Sequence, residues 1–62
     1  MNRYIDSSAK LGNNVTLGHN VVIMEDVVIG DGCLIGNNVV IHAGSRIGEA
    51  VRMDDNVIIG KK

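Results

Sequence analysis

The sequence has little aromatic content: Tyr4 is the single aromatic residue. A core without rings must be thin and aliphatic. The 45% of apolar residues are almost all Val, Ile and Leu, which favour strands. There is one cysteine, Cys33, so no internal disulfide can form, as expected in a reducing cytoplasm. Neither sign of charge dominates. The net charge is −1 with Lys and Arg scattered, which gives no footprint for nucleic acid or an anionic membrane. No apolar run approaches the ~20 residues of a membrane span. The first residues lack the long apolar stretch of a signal peptide. These absences point to a soluble, cytoplasmic protein. Its 62 residues make one small domain, of a size that buries only roughly 60% of its unfolded surface.

What is present is a repeat. Stepping by six from Ile5 gives Ile5, Leu11, Leu17, Ile23, Ile29, Ile35, Ile41, Ile47, Met53 and Ile59, ten large aliphatic residues in one column. The next position holds Gly six times, at Gly12, Gly18, Gly30, Gly36, Gly48 and Gly60. The fourth position reads Ser8, Asn14, Asn20, Asp26, Gly32, Asn38, Gly44, Ala50, Asn56 and Lys62, seven of which tolerate a left-handed backbone in a turn. The fifth holds small or medium residues: Ala9, Val15, Val21, Val27, Cys33, Val39, Ser45, Val51 and Val57.

Aliphatics two positions apart, such as Val15 and Leu17, show the alternation of a strand. A turn residue every sixth position adds a corner. One short strand plus one corner, repeated, winds a coil whose strands pair in parallel with those of the next coil. A period of six does not hold one face of a helix with 3.6 residues per turn, and eight glycines argue further against helix.

Units such as Ile29-Gly30-Asp31-Gly32-Cys33-Leu34 and Ile35-Gly36-Asn37-Asn38-Val39-Val40 resemble the repeat of the hexapeptide-repeat acyltransferases, and the resemblance runs from Ile5 to Gly60. It implies an all-β fold: a left-handed parallel β-helix with triangular coils of three hexapeptides, here about three coils in a single domain over 1–62. The hand comes from the resemblance alone, since parallel crossovers otherwise run right-handed. Because the repeat is still in phase at Gly60 and members of this family usually have more coils, the chain is expected to be truncated at its C-terminus.

The outward, sixth positions sort onto three faces. One carries Lys10, Val28 and Arg46, a second Thr16, Leu34 and Arg52, and the third Val22, Val40 and Ile58. The third row is expensive to leave wet and reads as an interface stripe. The resemblance implies a homotrimer with parallel axes.

Leu17-Gly18-His19-Asn20-Val21 resembles the corner motif of acyl- and acetyltransferases that act on nucleotide sugars. That likeness makes His19 the general base for an attacking amine or hydroxyl, a task suited to imidazole, with Asn20 beside it at the substrate. The alternative is a polar corner residue like Asn13, Glu25, Asp31 or Asn37. His42 replaces the usual Gly within Ile41-His42-Ala43-Gly44, a run similar to one in lipid A acyltransferases, and should stack on Met24 of the preceding coil. It is a candidate for ligand contact, subunit contact or plain packing. The γ-class carbonic anhydrases share this fold and bind zinc through three His. Two His and a buried Cys33 do not make such a site, so no metal is expected. A thiol in apolar surroundings is also a poor nucleophile. Asp26 falls at a different corner from His19, too far to orient it, and the other acidic residues read as solvated corners.

Two functions follow. One is an acyltransferase, or its N-terminal part, moving an acetyl or longer acyl group from acetyl-CoA or another acyl-CoA (or an acyl carrier protein) to a sugar or nucleotide sugar. The other is a structural trimerisation module with no chemistry of its own.

Overall fold

The computed structural model describes residues 3–60. All regular structure among them is strand: β1 (Arg3–Ile5), β2 (Lys10–Leu11), β3 (Thr16–Leu17), β4 (Val21–Ile23), β5 (Val28–Ile29), β6 (Leu34–Ile35), β7 (Val40–Ile41), β8 (Arg46–Ile47), β9 (Arg52–Met53) and β10 (Ile58–Ile59). They form three parallel sheets, β1-β4-β7-β10, β2-β5-β8 and β3-β6-β9. Every ladder partner lies eighteen residues away, as in Tyr4 with Val22, Lys10 with Val28 and Thr16 with Leu34. The chain is therefore a three-sided parallel β-solenoid of about three coils, as the hexad period predicts.

The corners explain the turn column. Asn14, Asn20, Asp26, Gly32, Asn38, Gly44, Ala50 and Asn56 all have φ between 56° and 78°. Each bends the chain from one sheet to the next. Most are residues that take this backbone readily. Ala50 is the exception, with φ 57° and a Cβ that disfavours it. The corners also stack. The amides of Gly32, Asn38, Gly44, Ala50 and Asn56 donate to the carbonyls of Asn13, His19, Glu25, Asp31 and Asn37 in the preceding coil. No described side-chain polar atom is left buried and unpaired.

The core holds the two inward columns: Val21, Ile23, Val27, Ile29, Cys33, Ile35, Val39, Ile41 and Met53 are buried. The inward columns are not buried along their whole length. Ile5 and Leu11 are 39% and 37% exposed, because nothing among the described residues stacks on the first coil. Cys33 lies in the interior as expected, its thiol donating to the Gly48 carbonyl at 3.0 Å.

The glycine column has a cause that repeats alone do not reveal. A Cβ on Gly18 would lie 2.6 Å from the Gly36 carbonyl oxygen and 2.5 Å from Asn37 Oδ1. That Oδ1 accepts the His19 amide at 2.7 Å, one coil away. Gly12 makes the same room for Asp31, which accepts the Asn13 amide, and Gly36 for Asp55, which accepts the Asn37 amide. At these corners a glycine in one coil admits an Asn or Asp of the next to a backbone donor. Gly48, in the last described coil, has nothing within 4 Å of its would-be Cβ.

Candidate functional site

The four-stranded sheet and its two bordering corner columns hold every sequence-predicted site residue. Val22 pairs with Val40, and Val40 with Ile58, so the outward apolar row is continuous across β4, β7 and β10. Val22 and Val40 are half-buried, and Ile58 is 57% exposed. Tyr4 of β1 pairs with Val22 and completes the row at 54% exposure. Tyr4 stands six residues before Lys10 in the outward column, and that spacing is the sequence signal for its place in the row.

His19 sits at the corner between β3 and β4, on one border of this sheet. Its backbone is held on both sides: its amide donates to Asn37 Oδ1 at 2.7 Å, and its carbonyl accepts the Asn38 amide at 2.8 Å. Its side chain is exposed and has no hydrogen-bond partner among the described residues. A fixed main chain thus presents a free imidazole. Asn20 follows in the left-handed conformation, its Nδ2 donating to Asn38 Oδ1 at 3.2 Å. That bond uses the Asn20 Nδ2 and leaves its Oδ1 without a donor among the described residues.

His42 stands at the other border, after β7, and is half-buried. It follows Met24 in the same corner column, as the eighteen-residue spacing requires. Its amide donates to the Ile59 carbonyl, and its own carbonyl accepts the Ser45 hydroxyl at 2.8 Å. The structure therefore does not bring the two histidines together: within one chain the sheet separates them. Asp26 lies in the corner column of His42, where its amide donates to Ser8 Oγ at 2.9 Å, and is remote from His19 as expected. Among the described residues no three His, Cys, Asp or Glu side chains gather into a group that would hold a metal ion.

The first coil carries a polar cluster that the sequence reading did not identify. Asp6 accepts the Tyr4 phenol at 2.9 Å through Oδ1, and the Ser8 hydroxyl at 2.7 Å and amide at 3.0 Å through Oδ2. The Ser8 hydroxyl, then the Ser8 amide and the Tyr4 phenol, hold the Asp6 carboxyl below its ordinary value. The bond to Asp6 and the charge of its carboxylate push the Tyr4 phenol above its own. A carboxyl lowered by folding stabilises the fold above the unfolded value, and that contribution is lost as pH falls through the folded one. Urea midpoints are therefore expected to fall below about pH 4, and less steeply in Asp6→Asn. Equal slopes in the two proteins would remove Asp6 from this role.

A three-sided parallel solenoid with a glycine-asparagine corner logic, an apolar sheet face and a free corner histidine defines the class of hexad-coiled proteins. Residues 8–43 match the family described as bacterial transferase hexapeptide (six repeats), and residues 26–61 match the hexapeptide repeat of succinyl-transferase. The chain belongs to the hexapeptide-repeat transferase superfamily. No individual curated protein and no solved structure matches it.

Proposed function

We propose that this chain acts in acyl transfer, as a homotrimer whose parallel solenoids meet through the Val22, Val40 and Ile58 face. The observation that carries the reading is the free, exposed imidazole of His19 on a pinned backbone at the border of an uninterrupted apolar sheet face. A subunit packed on that face would turn the border into a cleft. There an acyl-CoA donor, acetyl-CoA being the simplest, would meet an amine or hydroxyl of a sugar or nucleotide sugar.

In the reaction, the acceptor nitrogen or oxygen attacks the thioester carbonyl. His19 takes the proton it sheds, the carbon–sulfur bond breaks, and the departing thiolate takes the proton from His19 and leaves as free CoA. No acyl-enzyme and no metal is required. Asn20 Oδ1 would accept a hydrogen bond from the acceptor. His42, at the opposite border, would reach the cleft from a neighbouring subunit. Localisation in the cytoplasm, where acyl-CoA is made, suits this assignment.

His19→Ala is expected to lower the release of free CoA from acetyl-CoA, in the presence of amino sugars or their nucleotide diphosphates, by ~10²–10⁴-fold, with assembly unchanged. Unchanged turnover would remove His19 as the base. The second reading, a trimerisation module without chemistry, is favoured by the corner hydrogen bonds of Asn37, Asn38 and Asp55, which all serve the stack. An assembled chain that releases no CoA with any of these acceptors would support it.

A further inference from the structure

Asp31-Gly32 has no part in that chemistry, yet it carries a reaction of its own. Of the aspartates in the chain, Asp31 alone is followed by glycine. The Gly32 amide nitrogen attacks Cγ of the Asp31 carboxyl in its protonated form, a nitrogen–carbon bond forms, and water leaves. The product is a cyclic imide, which water then opens. Breaking the bond from nitrogen to Cγ restores aspartate. Breaking the bond from nitrogen to the main-chain carbonyl carbon leaves isoaspartate, with the chain running through Cγ and one methylene longer. Glycine, having no Cβ, shields the attacking nitrogen least.

The fold holds both reacting groups through one residue of the preceding coil. The Gly32 amide donates to the Asn13 carbonyl at 2.8 Å, and Asp31 Oδ1 accepts the Asn13 amide at 2.7 Å. Nucleophile and electrophile are each bound to Asn13 and not to one another. Asp31 and Gly32 are exposed, and nothing lies within 4 Å of where a Gly32 Cβ would stand, so water has access to the corner. Asn13 belongs to the coil with the weakest packing. Ile5 and Leu11 are 39% and 37% exposed, and no described residue before Val21 is buried. Weakly packed segments open locally, more often than the whole domain unfolds.

We infer that Asp31-Gly32 is a modification site gated by the first coil, where isoaspartate forms when Asn13 lifts away. The corner joins β5 to β6, off the four-stranded sheet, so its chemistry is independent of the trimer and the acyl transfer proposed above. The added methylene breaks the hexad count at that corner, and the coil that opened does not return to its register.

The test follows isoaspartate at Asp31 at neutral pH, in the folded chain and in urea. Electron-transfer fragmentation of the tryptic peptide 11–46 locates it. Hydrogen exchange of the Gly32 amide reads opening of the corner. That of the Val22 amide, bonded to Val39 within the core, reads global unfolding. Isoaspartate is expected to form ~10-fold or more slowly in the folded chain, by a factor that matches the protection of Gly32 and falls short of that of Val22. Leu11→Ala, which loosens the first coil, should speed its formation ~3-fold or more with the strand signal of circular dichroism retained. Equal rates in the folded and unfolded chains overturn the gate. A slowing as large as the Val22 protection overturns local opening as the route. A folded Leu11→Ala chain that reacts no faster overturns the part of the first coil; if that variant unfolds, the wild-type match to Gly32 decides. An unfolded chain that forms isoaspartate elsewhere and not at Asp31 overturns the site.

Discussion

Gly18→Ala is expected to cost about 2–4 kcal/mol, from overpacking against backbone together with a lost backbone hydrogen bond. The added methyl would meet the Gly36 carbonyl oxygen at 2.6 Å and displace the Asn37 carboxamide from the His19 amide. The obstacle is main chain, which cannot rotate away as a flexible side chain would. A domain of this length is stable by only about 3–9 kcal/mol, so the variant should lose much or all of its cooperative unfolding transition. Gly48→Ala makes the same chemical change at the same hexad position, where nothing lies within 4 Å. It should shift stability by no more than ~0.5 kcal/mol. Urea denaturation of the pair checks the claim. Equal costs would show that glycine serves backbone conformation and not the approach of the next coil.

Val40→Asp should dissociate the proposed trimer while leaving the solenoid folded. Val40 points outward from β7, between Val22 and Ile58 in the row. In a single chain the carboxylate would stand at a half-buried surface position, a change of about 1 kcal/mol or less on strand preference. Within an apolar contact it would be an unpaired charge stripped of water in every subunit, which should weaken association by ~10³-fold or more. Sedimentation and circular dichroism together read both effects. An assembled Val40→Asp protein would move the interface to another face.

Why was so much of this legible in the sequence? Side-chain period and coil period are commensurate. Eighteen residues is three hexads, so a column in the sequence is a column in space. Ile23 and Ile41 pair across β4 and β7, and Val22 pairs with Val40, as counting alone requires. The separation of the two histidines follows from the same count. They are 23 residues apart, which is one coil of eighteen plus five, and so they fall on different corners.

What counting missed has physical reasons. Tyr4 belongs to a hexad that begins before the first full repeat, so a column started at Lys10 omits it. The need for glycine at Gly12, Gly18 and Gly36 arises from residues nineteen positions later, and no local pattern announces it. Ala50 adopts the corner backbone without the side chain that favours it, and its amide donates to the Asp31 carbonyl of the preceding coil as the other stacked corners do. Ile5 and Leu11 match their column perfectly yet remain exposed, since burial depends on a neighbouring coil and not on the hexad itself. The fold was readable because it is periodic. The same period placed the candidate site residues, putting Val22, Val40 and Ile58 on one sheet and His19 and His42 at the corners that border it.

The most direct test of the whole account is CoA release per chain from acetyl-CoA and an amino-sugar acceptor, measured across protein concentrations that span assembly. Turnover is expected to be negligible in the monomer and to rise in step with the trimer fraction, because in the proposed assembly the cleft at His19 would form only between subunits. Turnover per chain that stays constant through dissociation, or a trimer that releases no CoA, would contradict it.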